Sequence, residues 1–182
     1  PRTGRVPVWW RARRLSARRG LVPANETGSC AQAVARVRRI QAFADRDAAQ
    51  LGLIVEAFIP GREYALEGLL ENGALRVLAL FGKPDPLDGP YFEETLYVTP
   101  SRLPQATQDA IVRSAQRACA LAGLGSGPVH AEMRVNEHGV CLLEIAALSI
   151  GRLCGRLLRH PLGVSPERLI LLHRGAAPRP PT

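Results

Sequence analysis

The chain has 182 residues, of which 46% are hydrophobic and 22% are charged. This balance indicates a globular protein with a sizeable core and excludes a disordered chain. No apolar run reaches the roughly 20 residues that a membrane-spanning helix needs. Because the start also lacks the apolar core of a signal peptide, we expect a cytoplasmic protein without a membrane partner.

The basic residues are unevenly placed along the chain. The net charge is +8, and seven arginines without any acidic residue fall within positions 1–20. A basic arm of this kind can attract nucleic acid, but 23 of the 24 basic residues are arginine, which indicates a coding bias and argues against that partner. The single lysine, Lys83, suits phosphate contact as a point charge; a chance occurrence is the alternative.

The first elements are a short apolar strand over residues 6–10 and a helix over residues 29–42 that begins with a capping serine. A basic loop with one glycine lies between them, over residues 11–20. After a polar connection, a continuous apolar strand over residues 53–59 is interrupted only by Glu56.

Turn sequences divide the middle of the chain into strands. A Pro-Gly pair stands at residues 60–61 and an Asn-Gly pair at residues 72–73. They bound strands over residues 62–70 and 74–82, so residues 53–82 are predicted to form a three-stranded meander.

The clearest helix signal covers residues 104–124, with a proline near its first turn and a glycine at its end. A short strand over residues 96–99 precedes it. Two short helices, over residues 153–158 and 165–173, are predicted on either side of Pro161. Runs of strands with helices between them, but without regular βαβ alternation, predict an α+β fold with antiparallel sheets.

A hairpin with one glutamate on each strand is the strongest chemical signal. Apolar residues alternate along residues 129–135, and a three-residue loop ending in a left-handed glycine leads into the return strand. This register pairs Asn136 with Val140 and therefore sets Glu132 directly opposite Glu144. The apolar face of the return strand is then predicted to carry Cys141, Leu143, Ile145 and Ala147.

Two like charges that face each other across a ladder destabilise a sheet unless a cation lies between them. Because a hard divalent cation prefers carboxylate oxygens, Glu132 and Glu144 are predicted to be metal ligands. The alternative is a solvated hairpin face, whose acids are balanced by His130 and Arg134.

Three segments taken together resemble the ATP-grasp superfamily of carboxylate–amine and carboxylate–thiol ligases, which includes biotin carboxylase and carbamoyl-phosphate synthetase. They are VEAFIPGREYALEG, FGKPDPLDGPYFEET and HAEMRVNEHGVCLLEIA. The resemblance implies an α+β ATP-grasp fold, with antiparallel sheets, flanking helices and an incomplete N-terminal part.

The resemblance also implies a nucleotide site. Glu132 and Glu144 match the acidic pair that holds magnesium, or manganese in its place, against the phosphates of ATP. The residues that match the adenine pocket and the ribose-binding acid are Glu56, Ala57, Ile59 and Glu63. For Glu56 and Glu63 the alternative is an ordinary charge at the edge of a strand.

Further matches concern the phosphates and the reaction. Arg11 falls where the family has a phosphate-contacting lysine, and Ser16, Arg19 and Gly20 fall on the mobile loop that closes over the phosphates. Lys83 falls where the family places cations that contact phosphate or substrate, and it is the predicted catalytic residue. In such ligases a carboxylic acid is activated as an acyl phosphate, so the implied partners are ATP and a small carboxylic acid.

The sequence also departs from the family pattern at positions beyond Arg11. The loop at residues 16–20 has lost a glycine, and Ala146 and Leu148 stand where an asparagine and an arginine commonly follow the second glutamate. Two interpretations therefore stay open: a ligase domain, or a non-catalytic, degenerate remnant that acts as a nucleotide-binding or interaction module. The arginines of residues 11–19 then form only a solvated basic run.

We expect three parts in the chain. Residues 1–52 are interpreted as a remnant of the first ATP-grasp subdomain, residues 53–174 as the C-terminal subdomain, and residues 175–182 as a flexible tail. The substrate domain that precedes this fold in the family is expected to be missing, so a homo-oligomer or a separate N-terminal domain would complete the site.

Overall fold

The computed structural model describes residues 8–12, 22–24, 27–44, 52–85 and 96–176. They form two compact units, and the chain passes from the first to the second between Ile59 and Pro60. No helix in these ranges is long and apolar enough to cross a bilayer.

The first unit is a small antiparallel sheet with one helix. Its elements are β1 (Val8–Ala12), β2 (Val22–Ala24), α1 (Thr27–Ala44) and β3 (Leu53–Ala57). The strand order is β2-β1-β3, and α1 packs against β1 and β2. Its buried apolar side chains are Trp9, Ala12, Ala24, Ala33 and Val37.

Two predictions for this part of the chain are wrong. Arg11 belongs to β1 and not to the basic loop that was predicted to begin there. Strand β3 pairs with β1, with Trp10 opposite Val55, and so does not belong to the predicted meander over residues 53–82. An apolar strand can pair with either neighbour, and here the partner is a strand more than 40 residues earlier in the chain.

The second unit is a four-stranded antiparallel sheet with three helices. Its elements are β4 (Arg62–Glu71), β5 (Ala74–Lys83), α2 (Gln105–Leu121), β6 (Gly127–Asn136), β7 (Gly139–Ala146), α3 (Arg152–Leu162) and α4 (Pro166–Ala176). The strand order is β5-β4-β6-β7. The α+β fold with antiparallel sheets is therefore confirmed.

Each face of this sheet packs against a different helix. The face toward α2 is apolar and contains Tyr64, Leu66, Leu80, Ile111, Ala115, Ala131 and Met133. On the opposite face, a smaller cluster joins the sheet to α3 through Ala65, Phe81 and Leu158. Because successive side chains of a strand point to opposite faces, the residues between the apolar positions of β4 and β6 all project toward the α3 side.

The hairpin of β6 and β7 confirms the pairing of Glu132 with Glu144 but not the predicted register at the loop. Asn136 pairs with Gly139, so the loop has one residue fewer, and a bulge between Glu132 and Met133 restores the register. Gly139 has the predicted positive φ. As a result the side chains of β7 that pack toward α2 are Val140, Leu142 and Ile145; the prediction is right for Ile145 and wrong for Cys141 and Leu143.

Two further elements differ from the predictions. Helix α3 continues through Pro161, which lies in its last turn, and ends at Gly163 in the left-handed region. A proline there removes a single helical hydrogen bond. The two predicted helices are present as α3 and α4, but they are separated at residues 163–165 and not at Pro161. In place of a strand over residues 96–99, the structure has one bridge, in which Val98 pairs with Gly82.

Candidate functional site

The α3 side of the second sheet carries a group of ionisable side chains, here called the charged face: Glu63, Glu67, Lys83, His130, Glu132, Arg134 and Glu144. Strand pairing brings them together from distant parts of the chain. Glu63 lies opposite Arg134 across the β4–β6 ladder and opposite Lys83 across the β4–β5 ladder. In the next rows, Glu132 lies opposite Glu144 and Glu67 opposite His130.

The ammonium group of Lys83 joins two carboxylates on neighbouring strands. Its Nζ lies 2.8 Å from Glu63 Oε1 and 2.7 Å from Glu132 Oε1, and 5.0 Å from the centre of the Tyr97 ring. The Lys83 and Glu63 side chains are almost fully buried. Burial by itself lowers the pKa of Lys83, but the charges of Glu132 and Glu63 outweigh it and raise that pKa above its ordinary value. Lys83 is therefore a fixed cation.

This placement corrects the position predicted for Lys83. It is the last residue of β5 and not a loop residue, and the contacts of its ammonium group are with protein carboxylates. Glu63, the predicted ribose-binding acid, is held from both sides, since Arg134 Nε also donates to its Oε2 at 3.4 Å. The ribose-binding role of Glu63 stays a prediction.

His130 lies between two carboxylates. Its Nδ1 bonds to Glu67 Oε1, and its Nε2 is 3.6 Å from Glu132 Oε1. Burial lowers the pKa of His130, but its interactions with Glu132 and Glu67 outweigh burial and raise the pKa to about 9. The imidazole is thus protonated near neutral pH, with a donor at each nitrogen.

Glu132 and Glu144 face each other, as the sequence predicts, but their surroundings differ. Lys83 and His130 both contact Glu132, so protein cations already offset part of the repulsion from which a metal was inferred. The face is also less solvated than the alternative interpretation assumed, although Arg134 and His130 do pair with acids on it. Glu144 is exposed on the outer strand β7.

The carboxylates of Glu132 and Glu144 fit a metal ion that is also coordinated by a second, non-protein ligand. In the described part of the chain, no three His, Cys, Asp or Glu side chains form a metal-binding group. Two carboxylates, one of them exposed, match the coordination preference of Mg²⁺. This ion usually retains several water ligands and binds one or two carboxylates together with substrate phosphates. Glu132 and Glu144 are therefore suited to a phosphate-bound cation and not to a metal held by the protein alone.

The nucleotide-binding residues predicted nearer the start of the chain belong to the first unit. Arg11 Nε lies 3.0 Å from Glu56 Oε2, and both side chains are about half exposed. Ala57 ends β3, and Ile59 follows it. Such an exposed ion pair contributes little to stability. Stability alone therefore does not account for the presence of Arg11 and Glu56. Three predicted residues lie outside the described residues: Ser16, Arg19 and Gly20.

The sequence alone did not place Glu67 on this face, and it indicated for His130 only a role in balancing the acids of the hairpin. The spacing of the charges was a usable signal. Glu63 and Glu67 are four residues apart on β4, and His130 and Arg134 are four residues apart on β6, so each pair lies on one face of its strand. Opposite charges pair well across an antiparallel ladder. The register between β4 and β6, which are separated by more than 50 residues, could not be obtained from either pattern alone.

The chain resembles several known proteins. The family model described as the ATP-grasp domain matches residues 11–156. Carnosine synthase 1 of Gallus gallus is 33% identical over 110 residues, which are 58% of this chain and 12% of that protein. The chain thus spans about an eighth of this curated relative.

Solved structures show the same fold. The L-amino acid ligase from Bacillus licheniformis has a TM-score of 0.73 and 26% identity, over 91% of this chain and 38% of that one. The biotin carboxylase domain of 2-oxoglutarate carboxylase from Hydrogenobacter thermophilus, a dimer in complex with MgADP, ADP and bicarbonate, has a TM-score of 0.75. It is 13% identical over 97% of this chain and 38% of that one, a likeness that shows the fold alone.

Proposed function

This chain belongs to the ATP-grasp family, and from that membership we propose that it binds Mg-ATP. We further propose that the whole protein activates a carboxylic acid as an acyl phosphate for attack by an amine or a thiol. The observation that carries the proposal is the pairing of Glu132 with Glu144 on the charged face. The names of two relatives, an L-amino acid ligase and carnosine synthase 1, support a carboxylate–amine ligase over other uses of ATP.

The predicted site residues of the second unit have separate roles in this proposal. Glu132 and Glu144 hold Mg²⁺ (Mn²⁺ is an alternative), which when bound offsets the charge that builds up as the γ-phosphoryl group moves. Lys83 keeps the Glu132 carboxylate in place from the protein side. The direct phosphate or substrate contact predicted for Lys83 would require its Nζ to leave Glu63 or Glu132, and the ribose contact of Glu63 would require a similar exchange.

The contacts proposed for the first unit come from the resemblance alone. Arg11 is proposed to contact phosphate and Glu56, Ala57 and Ile59 to line the adenine pocket. The half-exposed pair of Arg11 with Glu56 is weak enough to be exchanged for a ligand. Ser16, Arg19 and Gly20 keep the phosphate-loop role that the sequence predicts.

Isothermal titration with ATP in the presence of Mg²⁺ tests the binding. We expect a measurable heat for the wild type and an affinity at least about tenfold weaker for Glu144→Ala, since a metal ligand is lost. Glu137→Ala is the matched control, because Glu137 is an exposed acid at the tip of the same hairpin. An absence of heat for the wild type, or an unchanged affinity for Glu144→Ala, contradicts the proposal.

A non-catalytic, nucleotide-binding domain is the second candidate. Leu148, where the family pattern has an arginine, is 52% exposed, so the position offers an apolar surface and no charge for an acyl phosphate. This candidate predicts Mg-ATP binding without turnover. Formation of ADP when small carboxylic acids and amines are added to the protein would exclude it.

A further inference from the structure

Glu67 lies opposite His130 on the charged face, in the row next to the acidic pair, and has no part in the nucleotide contacts described above. Its side chain is 2% exposed, and both of its oxygens are engaged. Oε1 bonds to His130 Nδ1, whereas Oε2 accepts a hydrogen bond from the backbone N–H of Ile150 at 2.9 Å. Ile150 lies in the connection between β7 and α3, six residues after Glu144. One carboxylate thus links β4, β6 and that connection.

His130 passes this link on to Glu132. Its second nitrogen, Nε2, lies 3.6 Å from Glu132 Oε1, the same oxygen that Lys83 Nζ contacts at 2.7 Å. Two side chains from different strands therefore converge on one carboxylate oxygen, which restricts the rotation of that carboxylate. If His130 served only to neutralise a buried acid, its contact with Glu67 would suffice and the direction of Nε2 would have no consequence.

We infer that Glu67 and His130 are positioning residues, which orient the Glu132 carboxylate for a metal–nucleotide ligand and tie that orientation to the connection between β7 and α3. The inference rests on the proposed function, in which Glu132 binds the metal of Mg-ATP. Residues that support a metal ligand from outside the coordination shell orient it, and their loss typically weakens metal affinity by about 10–100-fold.

Two substitutions separate the parts of this linkage. Glu67→Gln keeps the size of the side chain but leaves only one accepting oxygen, so the His130 and Ile150 contacts compete for it. His130→Asn keeps a donor near the place of Nδ1 for Glu67 but is too short to reach Glu132. Glu71→Gln is the matched control, because it is the same substitution on the same strand, in an exposed pair with Arg76.

The experiment compares the affinity for ATP in Mg²⁺ with the affinity for ATP in EDTA by titration calorimetry. The ratio of the two isolates the contribution of the metal. We expect Glu67→Gln and His130→Asn to lower this ratio by about tenfold or more, with the affinity in EDTA unchanged, and Glu71→Gln to keep the wild-type ratio. Wild-type ratios for both Glu67→Gln and His130→Asn, with only a lower unfolding temperature, would reduce the pair to a structural role and overturn the inference.

A second measurement, made without nucleotide, distinguishes this failure from a failure of the proposed function. Amide hydrogen exchange should be faster at Ile150 in Glu67→Gln than in the wild type, and unchanged in His130→Asn. If exchange follows this pattern but the wild type binds no ATP, the proposed function is wrong and the positioning role falls with it. If the wild type binds Mg-ATP and the Ile150 amide exchanges at the same rate in all variants, the proposed function stands and only the linkage through Glu67 is refuted.

Discussion

The two faces of the four-stranded sheet are built from alternate residues of the same strands, yet they are stabilised in different ways. On β6, Val129, Ala131 and Met133 are fully buried on the apolar face. The residues between them, His130, Glu132 and Arg134, lie on the charged face. The apolar face gains free energy from removing surface from water, whereas the buried charges on the other face are tolerated because opposite charges lie beside them.

The acids of the charged face are not all placed opposite a basic residue. Glu63 has Lys83 and Arg134, and Glu67 has His130. Only the row of Glu132 and Glu144 sets like charges opposite each other. A fold selected for stability alone has no need of that row, and it is the row that the proposed function uses.

The largest effect is expected at Lys83. Lys83→Met leaves the buried Glu63 and the partly buried Glu132 without their shared cation and should lower the free energy of unfolding by about 3–5 kcal/mol. Urea unfolding followed by circular dichroism measures it. Arg76→Met is the control, since Arg76 forms an exposed pair with Glu71 at 3.7 Å, and it should cost less than about 1 kcal/mol. Equal losses in the two variants would show that burial does not distinguish them.

A similar or slightly smaller loss is expected on the apolar face. Met133→Ala removes a fully buried side chain from the cluster against α2 and should cost about 2–5 kcal/mol. Below its unfolding temperature this variant should bind Mg-ATP as the wild type does, because the charged face is unchanged. Calorimetry at low temperature checks this, and lost binding by a folded variant would mean that the two faces are not separable.

An intermediate effect is expected for the charge of His130. Its pKa is raised from 6.5 to about 9, so the stability it contributes is fully present below pH 6.5 and is lost as the pH rises toward 9. The contribution is at most about 3 kcal/mol, and solvent screening reduces it. Unfolding midpoints at pH 6 and pH 9.5 should differ less in His130→Gln than in the wild type. His138→Gln, which changes an exposed histidine of the same hairpin, should keep the wild-type difference.

The smallest change in stability is expected at Glu144. This exposed side chain lies opposite a like charge, so Glu144→Ala should alter the free energy of unfolding by no more than about 0.5 kcal/mol, while Mg-ATP affinity falls. Urea unfolding and titration calorimetry on the same sample measure both. A clear loss of stability would place Glu144 among the structural charges and weaken its assignment as a metal ligand.

Local patterns in the sequence were enough for the strand β4, the alternation of β6, the helix α2, and the opposition of Glu132 and Glu144. These depend on neighbours in the chain: a two-residue period, turn-forming glycines, and a hairpin whose strands are joined by a short loop. The predicted opposition was right although the loop was one residue too long, because the bulge in the hairpin compensated for that difference. Motif resemblance, also a property of the sequence, supplied the family.

Only the tertiary structure decided which strands pair over long distances. The partner of β3 is β1, and β6 lies between β4 and β7, because packing of whole elements selects among pairings that each strand would accept. The contacts of Lys83 with Glu63 and Glu132, and of Glu67 with His130, follow from those pairings. Thus the sequence by itself determined the two facing glutamates, and the assembled sheet decided which cations surround one of them.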